Sequence, residues 1–199
     1  MRKFVSKRNN VYFKENFVFK EHKNNEAAEQ EAEFLKLLNN KAVAVPKVIS
    51  VNGSTLCMEY IEGDPLPDFM LTRDNSTRCS EVAESISKWL ESFYTAVDYQ
   101  TTSEIRGDVN GRNFLVTADG IAGVDFEEHI FGRKETDFGR LLAYVATYSY
   151  DDTYVQRVME EKLIKSFTKR FSINECILLE EKTKELKVLE RFRKQKTDQ

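Results

Sequence analysis

No glycine precedes Gly53. The first quarter of the chain therefore has no glycine-rich loop whose backbone N–H groups could close around an anion. Histidine is almost as scarce. His22 and His129 are the only two and stand far apart, which disfavours histidine catalysis and histidine-based metal sites. Cys57, Cys79 and Cys176 are isolated and odd in number. They make neither a disulfide framework nor a zinc-ligand pattern, so a reducing, cytoplasmic setting is expected. The N-terminus lacks the apolar run of a signal peptide, and no stretch is long and apolar enough for a membrane span. Internal repeats and low-complexity tracts are missing too. The net charge of −3 argues against a nucleic-acid or membrane-surface partner.

What is present is a chain of 199 residues, long enough for one compact unit or two tightly joined lobes. Its most informative stretch is Gly107-Asp108-Val109-Asn110-Gly111-Arg112-Asn113, followed by Val124-Asp125-Phe126. Asp, Asn and Gly are ordinary turn formers. An Asp-x-x-x-x-Asn spacing that runs into a hairpin ending in a second Asp also suits phosphoryl transfer from a nucleotide. That chemistry uses one carboxylate to orient a hydroxyl and accept its proton. It uses an amide oxygen and a further carboxylate to hold a Mg²⁺ ion on the phosphates. Phe114–Thr117 and Ile121–Phe126 are short apolar runs around Ala118-Asp119-Gly120, which suits a three-residue loop with Gly120 left-handed. In that register Asn113 lies opposite Asp125, and the two share one face.

The region resembles the catalytic and metal-binding segments of the aminoglycoside phosphotransferase and choline kinase group of the protein-kinase-like superfamily. That group reads His-Gly-Asp-x-x-x-x-Asn, then Ile-Asp-Phe/Trp-Glu. The chain has Arg106-Gly107-Asp108 through Asn113, then Val124-Asp125-Phe126-Glu127. The resemblance implies ATP and Mg²⁺ as cofactors, Asp108 as base, Asn113 and Asp125 as metal ligands, and Asp137 of Glu135-Thr136-Asp137-Phe138-Gly139 as support for the catalytic loop. Arg106 departs from the group's histidine, which mostly braces that loop.

A nucleotide-binding small lobe is then expected ahead of the catalytic loop. A short first strand, Phe4-Val5-Ser6, precedes Val11–Asn16 and Phe17–Glu21, which read as strands joined by a tight Glu15-Asn16 turn. Lys20 shares a face with Val18, where the resemblance places the lysine that grips the α- and β-phosphates. Taken alone it reads as a surface lysine. The segment from Glu26 to Leu38 is strongly helix-forming, with Asn24 or Asn25 as cap. Ala27, Phe34, Leu35 and Leu38 form its apolar stripe, and Glu31 falls on that stripe. A carboxylate on a buried face needs a cation, and Lys20 is the natural one. Glu29 serves instead if the helix is shifted. Val43–Val51, an Asn52-Gly53 turn and Ser54–Ile61 form the next strands. "VPKV" followed by "CMEYIEGDPL" resembles the group's fifth strand and hinge. By that likeness Glu59 and Ile61 offer backbone groups to adenine, with Met58 beside it and Leu115 beneath. As bare sequence, Met58 and Leu115 are ordinary core positions. With no glycine loop, the turn Lys7-Arg8-Asn9-Asn10 would cover the phosphates instead.

The expected fold class is α+β: a protein-kinase-like two-lobe fold, with a small antiparallel sheet and one helix in residues 1–61 and a mainly helical lobe in residues 62–199. A helix with Val82, Ile86, Trp89, Leu90, Phe93 and Val97 on one face follows the hinge. A buried segment from Asp137, a helix capped by Asp151 or Asp152, and a last helix from Asn174 complete the lobe. The expected activity is phosphate transfer from ATP to the hydroxyl of a small molecule. The compact form also resembles the small RIO-like protein serine/threonine kinases, although Asp125-Phe126-Glu127-Glu128 is closer to the small-molecule group than their Asp-Phe-Gly. The missing glycine loop suits a third reading, a catalytically weak nucleotide-binding pseudokinase acting through a partner. Oligomeric state is not legible.

Overall fold

Alternating strands at the N-terminus build an antiparallel sheet, and periodic apolar helices take over after the hinge. The structure is a computed structural model that describes residues 2–4, 9–148 and 153–197. The sheet contains β1 (Arg2–Phe4), β2 (Asn10–Lys14), β3 (Phe17–Glu21), β4 (Val48–Asn52) and β5 (Thr55–Glu59), in the order β1-β2-β3-β5-β4. Val5 and Ser6 of the expected first strand, and Lys7 and Arg8 of the expected phosphate-covering turn, lie outside the described residues. Glu15 and Asn16 both adopt positive φ, as the tight turn between β2 and β3 requires. Asn52 pairs with Thr55, so the loop between β4 and β5 is Gly53-Ser54 and not Asn52-Gly53.

Helix α1 (Asn25–Asn40) crosses between β3 and β4, and the Asn24 side chain caps it by accepting from the Ala27 N–H. Its buried face is Ala28, Glu31, Ala32, Phe34, Leu35 and Leu38; Ala27 is only half-buried and Glu29 is exposed. The sheet leads through residues 60–63 to the short β6 (Asp64–Pro65) and α2 (Leu66–Met70). Helix α3 (Cys79–Ala96) buries Val82, Ile86, Trp89, Leu90 and Phe93, the face expected from periodicity. A single turn, α4 (Tyr99–Thr102), precedes β7 (Glu104–Ile105), which pairs with β10 (Ile130–Phe131). Between them lies the hairpin of β8 (Phe114–Thr117) and β9 (Gly120–Gly123), with β6 on its other edge. Helices α5 (Lys134–Thr147), α6 (Tyr154–Phe171) and α7 (Glu175–Thr197) close the fold. Asp151 and Asp152, the expected caps of α6, lie outside the described residues.

One continuous apolar core runs from α1 and β5 through Trp89, Phe93, Phe114 and Phe126 to Phe138 and Phe167. The Trp89 indole N–H donates to the Ala44 carbonyl at 2.8 Å, which ties α3 to the segment entering β4. Among the described residues, no helix is long and apolar enough to cross a membrane.

The β8–β9 register differs from the one expected. Thr117 pairs with Gly120 and Phe114 with Gly123, so the connection is the two residues Ala118 and Asp119. The Thr117 hydroxyl causes the tighter closure. It accepts from the Asp119 N–H and donates to the Gly120 carbonyl. Carried back along the strands, this sets Asn113 beside Val124 rather than Asp125, and the Val124 N–H donates to the Asn113 carbonyl at 3.0 Å.

Candidate active site

Lys20, the fourth residue of β3, points away from solvent toward α1. Its Nζ lies 2.8 Å from Glu31 Oε2, 2.6 Å from Asp125 Oδ1 and 2.6 Å from Glu127 Oε1. Burial works against its charge, but the three carboxylates outweigh burial and hold its pKa above the ordinary lysine value. Of the two candidates on α1, Glu31 is the buried one, and the β3 and α1 faces expected from periodicity meet at this ion pair. Glu31 Oε1 also accepts from the Phe126 N–H at 2.9 Å. Burial alone would raise the Glu31 pKa. The His22 imidazole 3.1 Å away, the Lys20 ammonium and the Phe126 N–H together lower it to about 2.

Asp125 reaches this cluster although the hairpin register places it on the wrong side. Its φ is +67°, and that left-handed turn just past β9 redirects the side chain. Arg106 holds the turn. Its guanidinium donates to the carbonyls of Val124 at 2.7 Å and Asp125 at 2.6 Å, and lies 4.2 Å from the centroid of the Phe126 ring. A wholly buried arginine with carbonyl acceptors and an aromatic face is well satisfied. Gly123 must be glycine, because a Cβ there would sit 2.2 Å from the Trp89 ring.

Asp137 on α5 fixes the loop before Asp108. Its Oδ2 accepts from the Arg106 N–H at 2.7 Å and the Tyr94 hydroxyl at 2.9 Å, and its Oδ1 accepts from the Gly107 N–H at 2.9 Å. Burial raises the Asp137 pKa against these hydrogen bonds. Gly107 has φ +73°, and a Cβ there would strike Ile130 at 2.4 Å. Beyond this bend Asp108 is held by two amides. Asn110 Nδ2 donates to its Oδ1 at 2.7 Å, and Asn113 Nδ2 donates to its Oδ2 at 2.9 Å. With Nδ2 committed, Asn113 has Oδ1 left as a donor to a cation.

The residues expected at a hinge stand where the sheet meets the hairpin. Met58 is buried on β5 between Val18 and Val48. The Glu59 N–H is taken by the Lys47 carbonyl at 2.9 Å, and Ile61 lies in the segment that follows β5. Leu115 is half-buried and paired with Pro65, directly after that segment.

The structure thus groups Lys20, Glu31 and Asp125, and separately Asp108 and Asn113, with Arg106 between the two groups. Three contributors went unread in the sequence. Glu127 binds Lys20 and accepts from Asn9 Nδ2. His22 stands 3.1 Å from Glu31, and Tyr94 holds Asp137. His22 had a signal: it follows Lys20 by two residues, so both face the same way. Among the described residues, no cluster of three or more His, Cys, Asp or Glu forms a self-contained metal site. Asn113 Oδ1 and Asp125 are each oxygen donors of the kind a hard cation such as Mg²⁺ takes, although the register sets Asn113 beside Val124 and Asp125 with Lys20.

No curated protein matches the chain. Solved structures do match, at the level of fold. An ADP-bound aminoglycoside phosphotransferase APH(2'')-Ib is 12% identical with a TM-score of 0.62, over 90% of this chain and 80% of that one. The aminoglycoside phosphotransferase APH(3'')-Id of Streptomyces rimosus is 14% identical with a TM-score of 0.61, over 91% of each chain. A choline/ethanolamine kinase family protein of Mesorhizobium loti is 16% identical with a TM-score of 0.55, over 84% of this chain and 69% of that one. The fold is therefore the expected α+β, protein-kinase-like one. A family model described as the RIO domain matches residues 2–141. The chain belongs to the RIO domain family.

Proposed function

We propose that the protein is an ATP- and Mg²⁺-dependent phosphotransferase that moves the γ-phosphoryl group to a hydroxyl of a small molecule. The observation that carries this reading is the Lys20 ammonium held jointly by Glu31 and Asp125, beside a rigid loop in which Asn113 orients the Asp108 carboxylate. Lys20 draws the α- and β-phosphates in, and Glu31 keeps the lysine in place. Met58, Glu59, Ile61 and Leu115 receive the adenine at the hinge. Mg²⁺, held by Asn113 Oδ1 and Asp125, would neutralise the phosphate oxygens. Asp108 accepts the proton of the attacking hydroxyl, its direction set by the two amides that already bond it. The ADP of the APH(2'')-Ib neighbour supports nucleotide use. Cys57, Cys79 and Cys176 are all free, which suits a reducing cytosol.

A second reading, transfer to a protein serine or threonine, is favoured by the RIO domain match. ADP release from the wild type, measured across hydroxylated small molecules and generic protein substrates, separates the two. Turnover with the small acceptors alone supports the first reading, and turnover with protein alone supports the second. Nucleotide binding without turnover on either set leaves the weak binding module that the missing glycine loop suits.

A further inference from the structure

His22 is buried and unused in the mechanism above. Its backbone N–H donates to the Ser54 carbonyl at 2.8 Å, which carries the β3–β5 ladder one step past the Glu21–Thr55 pair. That bond fixes the direction of the side chain. Lys20 and His22 are two residues apart on an extended chain, so both face α1. Nε2 stands 3.1 Å from Glu31 Oε2, with both side chains 2% exposed, and neither atom completes a hydrogen bond among the described residues.

Glu31 needs such support. Lys20 is drawn inward by Glu31 and outward by Asp125 and Glu127, whose side chains are 43% and 22% exposed. Glu31 Oε1 is anchored by the Phe126 N–H, while Oε2, among the described residues, has Lys20 and His22 beside it. An imidazole N–H turned onto that oxygen would donate to it and hold the carboxylate against rotation.

We propose that His22 is a positioning residue for nucleotide binding, whose Nε2–H locks Glu31 in the orientation that keeps Lys20 aimed at the phosphates. The proposal rests on the reading of Lys20 as the phosphate-binding lysine. It makes a specific demand on chemistry. A glutamine amide reaches as far from the backbone as Nε2 and can replace the donor. An asparagine amide falls one bond short, and leucine fills the space with no donor.

The experiment is titration of a fluorescent N-methylanthraniloyl-ADP into wild type, His22→Gln, His22→Asn, His22→Leu and Lys20→Met, each checked by its melting curve. His22→Leu and His22→Asn are expected to bind about 5- to 10-fold more weakly, the scale of one hydrogen bond to a charged group. His22→Gln is expected within about twofold of wild type. Should His22→Leu not fold, the Gln–Asn pair carries the comparison. Wild-type affinity in His22→Asn, together with loss in Lys20→Met, overturns the proposal and reduces His22 to packing. Equal weakening in Gln and Asn overturns it too, because the donor then does not matter. Undiminished binding in Lys20→Met overturns the phosphate-lysine reading itself, and the role of His22 with it.

Discussion

Glu127→Gln should bind metal-free nucleotide more tightly than the wild type. An ammonium has three N–H donors, and Glu31, Asp125 and Glu127 occupy those of Lys20. A phosphate oxygen can reach Nζ only if one carboxylate leaves. Glu31 is buried and pinned by the Phe126 N–H, and Arg106 clamps the backbone of Asp125. We take Glu127, partly exposed and bonded also to Asn9, as the carboxylate that leaves. One positive and three negative charges leave the cluster at 1 − 3 = −2 where an anion must enter. A unit charge about 5 Å away at an effective dielectric of about 20 is worth about 3 kcal/mol. Partial exposure and salt reduce this to about 1 kcal/mol, or about fivefold in affinity. Isothermal titration of ADP in EDTA, where no cation bridges carboxylate and phosphate, reads the effect directly. The gain should shrink as salt is added. Equal or weaker binding by Glu127→Gln would refute the idea that Glu127 competes with phosphate.

Asp137→Ala strands the N–H groups of Arg106 and Gly107 and the Tyr94 hydroxyl in the core, at a cost of about 3–5 kcal/mol. The melting temperature should fall by about 10 °C in a calorimetric scan, and a drop under about 3 °C would contradict it. The depressed pKa of Glu31 stabilises the fold fully above its unfolded value of about 4.5, and that contribution disappears as pH falls toward about 2. Wild type should therefore lose about 3 kcal/mol relative to Glu31→Gln across that window in urea titrations. Stabilisation by ATP in thermal-shift assays should depend on Mg²⁺ in wild type, and that dependence should vanish in Asp125→Ala. Equal stabilisation with and without Mg²⁺ in the wild type would count against the metal role of Asp125.

Local periodicity made the sheet, α1 and the meeting of Lys20 with Glu31 legible, because each rests on which side of one element a residue faces. The β8–β9 register was not. It turns on the Thr117 hydroxyl closing a two-residue connection, a side-chain choice that apolar alternation does not report. Asp125 still reaches Lys20, because a left-handed residue held by Arg106 undoes the slip. That compensation is tertiary and leaves no trace in spacing. Arg106 read as a missing histidine, although its carbonyl contacts and its stacking on Phe126 depend on residues distant in sequence. Glu127 was visible only as part of a motif, because its contacts with Lys20 and Asn9 join three separate segments.

The most direct test of the central claim is ADP release by Asp108→Asn beside wild type, with nucleotide affinity measured on the same samples. The substitution keeps shape and removes charge, so ATP should bind both proteins alike. Phosphoryl transfer should fall by about 10² or more, the scale of general-base and positioning contributions. A wild type that binds ATP yet gives no rate above Asp108→Asn, with any hydroxyl acceptor or by autophosphorylation, would contradict catalysis at Asp108.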